Sequence, residues 1–118
     1  MLVEDAESLR EVICEVLEEQ GYTVLQASHG QEALALAREH KGPIQLLLTD
    51  LVMPKLGGAD LARQLALLRP AMRVLYMSGY TEGAISRQGV LREGSVLLEK
   101  PFTPDRLARA VREALDAG

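Results

Sequence analysis

The chain reads as an α/β domain built on a single doubly wound, five-stranded parallel sheet with five helices, and three observations lead there. Short apolar runs, each bounded by turn residues, recur along its 118 residues, and runs of that length suit strands buried on both faces. The segments between them carry apolar residues at three- and four-residue spacing, as helices with one buried face do. The connections are short, and strict alternation of strand and helix with short loops gives a parallel sheet with right-handed crossovers and helices on both sides. One domain over residues 1–118 is expected at this length, large enough to bury a core.

Leu2 to Glu4 is the first strand, clipped short, with the acids Glu4 and Asp5 at its carboxyl end. From Ser8 onward Leu9, Val12, Ile13, Val16 and Leu17 form one helical face, and Gly21 suits the cap that ends it. Thr23 to Ala27 is the second strand. Ser28, with Gln31 three residues on, fits a capping box for a helix that turns Ala33, Leu34 and Ala37 inward before Gly42-Pro43 closes it. Leu46-Leu47-Leu48-Thr49-Asp50 is the third strand. After Gly57 and Gly58 comes a helix from Ala59 to Leu68 that buries Leu61, Leu65 and Leu68 and stops before Pro70. Val74 to Met77 is the fourth strand. Residues 81–92 carry the weakest helical pattern, with Gly83 and Gly89 and few apolar positions, so a short or mobile element is expected. Val96 to Leu98 is the fifth strand. Thr103 then caps the last helix, with Pro104 at its first position and Leu107, Val111 and Leu115 inward.

Composition narrows the function classes. Hydrophobic residues at 47% and charged residues at 25% are those of a globular domain rather than a disordered or fibrous chain. A net charge of -4 argues against broad binding to nucleic acid or to anionic membranes, which need a basic surface. No apolar run approaches a membrane span and no secretory signal opens the chain, so the expected site of action is cytoplasmic. The single cysteine, Cys14, lacks a partner for an internal disulfide or a metal motif.

The unusual polar residues fall at the carboxyl ends of the strands: Glu4 and Asp5 after the first, Asp50 after the third, Ser78 after the fourth and Lys100 after the fifth. In a parallel sheet those ends share one edge, where open α/β sheets bind ligands. Asp50 taken alone would be an ordinary cap or turn aspartate. Three carboxylates together are different. Two unit charges about 4 Å apart interact by roughly 4 kcal/mol at an effective dielectric near 20, so such a cluster calls for a cation. Oxygen ligands without histidine or cysteine select a hard ion, Mg²⁺ rather than zinc. With Lys100 as a fixed positive charge and Ser78 as a hydroxyl, the set suits a phosphoryl group, and Gly79 would let the backbone approach it.

Val3-Glu4-Asp5, Leu48-Thr49-Asp50-Leu51-Val52-Met53-Pro54, Met77-Ser78-Gly79-Tyr80 and Lys100-Pro101-Phe102, in this order and spacing, resemble the receiver domain of two-component response regulators over essentially the whole chain. The resemblance implies a flavodoxin-like fold with the receiver topology. It also implies roles. Asp50 would be the phosphoacceptor, taking a phosphoryl group from the phosphohistidine of a histidine kinase or histidine phosphotransfer domain. Asp5 would hold Mg²⁺ directly, Glu4 partly through water, and Val52 through its backbone carbonyl. Ser78 would move toward the phosphate and Lys100 would pair with it, and the Lys100-Pro101 bond would be cis. Tyr80 and Val52 would restrict the water that hydrolyses the acyl phosphate. The response is expected around residues 81–92, the fifth strand and the last helix, a surface that would meet a kinase, a phosphotransfer domain or a second receiver, the last as a weak homodimer.

Two departures from the pattern stand out. Leu97, three residues before Lys100, occupies a switch position where the family usually carries an aromatic ring. The clipped first strand looks like a domain cut from a longer chain, and the runs around Ser78 and Lys100 are similar to receivers fused behind hybrid sensor kinases. Other readings explain fewer residues. A pseudo-receiver that docks a partner without phosphorylation leaves the acids, Ser78 and Lys100 unused. A dehalogenase-type phosphatase needs a second aspartate where Val52 stands, and there is no GxxxxGK[ST] loop for a nucleotide. His29 and His40 are expected to be exposed and Lys55 to be a solvated loop residue.

Overall fold

The apolar runs pair as a parallel sheet buried on both faces. The computed structural model describes residues 1–53, 56–78 and 96–116. Strands β1 (Leu2–Val3), β2 (Gln26–Ala27), β3 (Leu46–Asp50), β4 (Arg73–Ser78) and β5 (Val96–Glu99) lie in the order β2-β1-β3-β4-β5, all parallel. Side chains alternate along each strand and so feed two cores. Leu47 and Tyr76 point into one, with Ala33, Leu34, Leu61 and Leu65 from helices α2 (Gly30–Glu39) and α3 (Gly58–Leu68). Leu48, Leu75 and Met77 point into the other, with Ile13 and Leu17 from α1 (Glu7–Glu19) and Leu107 and Val111 from α4 (Pro104–Asp116). The chain leaves β1 in opposite senses to reach β2 and β3. The switch point of the sheet, and the crevice it opens, therefore lie between β1 and β3.

Local chemistry explains the helix ends. Gly21 adopts φ +93°, a left-handed conformation suited to glycine, and its N–H closes on the Glu18 carbonyl at 3.0 Å. Thr103 Oγ1 accepts from the Arg106 N–H at 3.2 Å, the N-cap bond expected of it. At α2 the cap lies one residue later than the sequence suggests. His29, not Ser28, caps the helix through Nδ1, which accepts from the Glu32 N–H at 3.1 Å, and Glu32, not Gln31, reaches back to the Ser28 N–H at 2.9 Å.

Several expectations need correction. β2 holds only Gln26 and Ala27, the two residues with partners in β1, rather than all of Thr23 to Ala27. On α1 the buried line is Ile13, Cys14 and Leu17, while Val12 is 52% exposed, because the apolar arc is wider than the surface it covers. On α3 Ala62 is buried and Leu68, the last helical residue, is 44% exposed. On α4 Ala114 takes the fully buried place and Leu115 is half-buried. His40 is half-buried at the end of α2, although His29 is exposed. Four helices occur among the described residues; the helix expected over 81–92, and Lys55, lie outside them.

Candidate functional site

The switch-point crevice collects the polar residues that the strand ends deliver. Glu4 follows β1 and is 1% exposed; Asp50 ends β3 and is 4% exposed. Lys100 follows β5 and reaches across the sheet, donating from Nζ to Asp50 Oδ1 at 2.5 Å and to Glu4 Oε1 at 2.8 Å. Asp5 is exposed at the rim, yet one carboxylate oxygen from each of Glu4, Asp5 and Asp50 lies within 4.8 Å of the others. Ser78 ends β4, fully buried, and its carbonyl accepts from the Lys100 N–H at 2.7 Å. The Lys100-Pro101 bond is cis.

Electrostatics in the crevice follow from burial and crowding. Burial, together with the hydrogen-bonded Glu4 carboxylate, pushes Asp50 up to about 8 against the opposing pull of Lys100. Burial also acts to raise Glu4. Its hydrogen bonds with Asp50, Lys100, Asp5 and the Ala6 N–H outweigh that and hold it at about 2. Of the two buried acids, Asp50 is thus the one whose neutral form the crevice favours. Burial acts to lower Lys100, but its two carboxylate partners raise it on balance, so it stays charged.

Two atoms have uncommitted hydrogen-bonding capacity. Asp50 Oδ2 and Ser78 Oγ are buried without a hydrogen-bond partner among the described residues. Such groups are costly in an interior and mark a place where a ligand completes the pairing. The fit to a divalent cation is good on the same grounds: three hard oxygen donors converge, Asp50 also carries an unpartnered buried oxygen, and no histidine or cysteine joins the cluster among the described residues.

Of the other residues singled out by sequence, Val52 is 59% exposed in the loop after β3, and Leu97 is half-buried in β5 beside its register partner Tyr76. Gly79 and Tyr80 lie outside the described residues. Two residues that shape the site escape a sequence reading. Gly58 sits so close to β3 that a Cβ there would run into the Asp50 carbonyl oxygen, and its N–H donates to the Leu51 carbonyl at 2.8 Å. The paired glycines at the start of α3 were the available signal. Arg10, on α1, donates from Nη1 to the Glu4 carbonyl at 2.8 Å. Its only signal was a cation near a helix N-terminus, where the macrodipole disfavours it.

A doubly wound β2-β1-β3-β4-β5 sheet with an acid-and-lysine crevice at its switch point defines a receiver-type α/β domain. The chain belongs to the response regulator receiver domain family, which residues 1–112 match. It is 35% identical over 116 residues to the sensor kinase CckA of Brucella abortus, covering 98% of this chain and 12% of that protein. It is 31% identical to the response regulator receiver protein CpdR of the same organism, covering 99% of this chain and 96% of the relative. A crystal structure of a response regulator receiver protein from Sinorhizobium medicae superposes with a TM-score of 0.83 at 28% identity, over 98% of this chain and 92% of that one. The chain thus spans nearly all of one relative and a small part of the other. The family binds Mg²⁺ through acidic residues, and Glu4, Asp5 and Asp50 supply such a cluster here. No described helix is long and apolar enough to cross a membrane.

Proposed function

We propose that this receiver accepts a phosphoryl group on Asp50 from a phosphohistidine, on a histidine kinase or a histidine phosphotransfer domain, in a Mg²⁺-dependent reaction. The observation that carries this reading is Asp50 itself: a buried carboxylate at the switch point, one oxygen on Lys100 and the other without a partner among the described residues. In the reaction an Asp50 oxygen forms a bond to phosphorus as the bond from phosphorus to the histidine nitrogen breaks, and the imidazole leaves with the electron pair. Glu4, Asp5, Asp50 and the Val52 carbonyl would hold the cation. When bound, Mg²⁺ supplies positive charge that keeps Asp50 ionised and neutralises the phosphoryl oxygens.

The chain's own residues do the rest. Lys100 presents a charged donor that can pass from carboxylate to phosphoryl oxygen without leaving the crevice. The buried Ser78 hydroxyl gains the partner it lacks among the described residues if it turns to the phosphoryl group. Leu97, in β5 beside the β4 strand that ends in Ser78, would fill the space that Ser78 vacates. The changed surface would then comprise residues 81–92, β5 and α4, and would meet a kinase, a phosphotransfer domain or a second copy of the domain. Tyr80, Gly79 and Val52 would govern access of water to the acyl phosphate. The net charge of -4 favours protein partners over nucleic acid or an anionic membrane, and the reading places the domain in the cytoplasm.

The test is intact mass after incubation with Mg²⁺ and a small acyl phosphate. One phosphoryl adduct is expected in the wild type, and none in Asp50→Asn or without Mg²⁺. An unmodified wild type whose circular dichroism is that of a folded α/β domain would overturn the reading.

A further inference from the structure

The acids of the β1–α1 turn differ in how they are held. Every polar group of Glu4 is engaged: its N–H donates to the Ala27 carbonyl at 3.1 Å, Oε1 accepts from Lys100 at 2.8 Å, and Oε2 accepts from the Ala6 N–H at 3.2 Å. Its carbonyl lies one residue past the end of β1, beyond the last residue paired in the ladder. Arg10 supplies the donor, from Nη1 at 2.8 Å. Asp5 is the exposed residue between Glu4 and Ala6, so its placement depends on that pinned frame.

Arg10 is also the only basic residue of α1, whose sequence is otherwise rich in glutamate. It sits in the first part of the helix, where the macrodipole disfavours a cation, and helical side chains lean back toward the N-terminus. An i,i+3 position relative to Glu7 suits the helix, yet the hydrogen bond that Arg10 makes leaves the helix. Its acceptor is the Glu4 carbonyl, beside the acid cluster.

We propose that Arg10 is a positioning residue of the cation site: by fixing the Glu4 carbonyl it holds the turn in the conformation that lets Asp5 and Asp50 share one divalent ion. The proposal rests on the Mg²⁺ reading of the crevice. It carries a sign opposite to that of simple electrostatics. Removing a positive charge near a divalent ion should, by Coulomb's law alone, strengthen binding. Loss of a supporting contact behind a metal ligand weakens it, by about tenfold in well-studied sites.

The experiment is a Mg²⁺ titration followed by backbone amide shifts, on wild type, Arg10→Met and Arg10→Lys, with unfolding midpoints measured in chelator. Arg10→Met removes both charge and donor, and its Mg²⁺ affinity should fall by about tenfold, with little change in the metal-free midpoint. Arg10→Lys can donate to the same carbonyl and should restore most of the affinity. Unchanged or tighter binding in Arg10→Met, or an equal loss in Arg10→Lys, would overturn the role. Should Arg10→Met fail to fold, Arg10→Ala, which also removes both charge and donor, takes its place with the same expectation. A wild type without any Mg²⁺ response would instead sink the metal reading itself, and this role with it.

Discussion

The two edges of the sheet are built from the same strands and are chemically opposite. At the carboxyl edge Glu4 follows β1 while β3 and β4 end in Asp50 and Ser78, all three buried, with Lys100 donating to both acids. At the amino edge β1 and β3 start beside a cavity of about 300 Å³ lined by apolar side chains such as Leu17, Val24, Leu46 and Val111 together with Thr23, His40 and Gln45, and no acid among the described residues enters it. Leu48 and Asp50 are two residues apart on β3 and point the same way. One faces packed hydrocarbon and the other faces charge. The amino edge lowers the energy of the fold, while the carboxyl edge raises it by burying acids that repel one another, and the surplus from the first holds the second in place.

Breaking the apolar end should therefore cost stability and leave the crevice chemistry intact. Leu48→Ala is expected to destabilise the domain by about 3 to 4 kcal/mol, since Leu48 is 1% exposed and packs in the core between α1 and α4. The check is urea unfolding at neutral pH. At saturating phosphodonor below the transition, the phosphoryl adduct should still form in full. Arg69→Ala is the next largest. The Arg69 guanidinium donates to the carbonyls of Gly42 at 2.6 Å, Ala37 at 3.2 Å and His40 at 2.5 Å, closing the end of α2 and the entry to β3. Its removal leaves those acceptors to water, and a loss of about 2 kcal/mol is expected in the same unfolding measurement.

The contrast between the edges also decides what could be read from the sequence. Strand identity and order of elements follow from short apolar runs such as Leu46 to Leu48, and the acids, Ser78 and Lys100 are legible because a parallel sheet puts all carboxyl ends on one side. Phase along a helix is harder. Val12 and Cys14 exchange places because the outer limit of a buried arc depends on where α4 and β1 lie against α1. The shift of the α2 cap from Ser28 to His29 is of the same kind: two adjacent residues can each accept from a backbone N–H, and only the path of the chain out of β2 selects one. Gly58 and Arg10 act by close approach and long reach, across separations that no local pattern encodes.

The smallest predicted effect has the most telling sign. In the metal-free domain Asp50 is raised to about 8 from an ordinary 3.8. Between those values the unfolded chain is ionised and the folded domain retains the proton, so the folded state binds more protons and stability falls as pH rises. Glu4, held at about 2 against an ordinary 4.5, acts oppositely: its contribution is present above 4.5 and is lost as pH falls toward 2. Metal-free stability should thus peak near the lower carboxylate range and decline toward pH 6, above which the Met1 ammonium, lowered by burial from 8.0 to about 6, acts in the opposite sense. Asp50→Asn keeps the shape and removes the ionisation, so it should abolish the declining limb and stabilise the domain at neutral pH. Added Mg²⁺ should flatten the same limb in the wild type and do nothing of the kind in Asp50→Asn. Unfolding midpoints across pH, with and without Mg²⁺, give both readings. A wild-type limb that survives in Asp50→Asn would place the strain elsewhere than in the crevice, and with it the distinction between the two edges would fail.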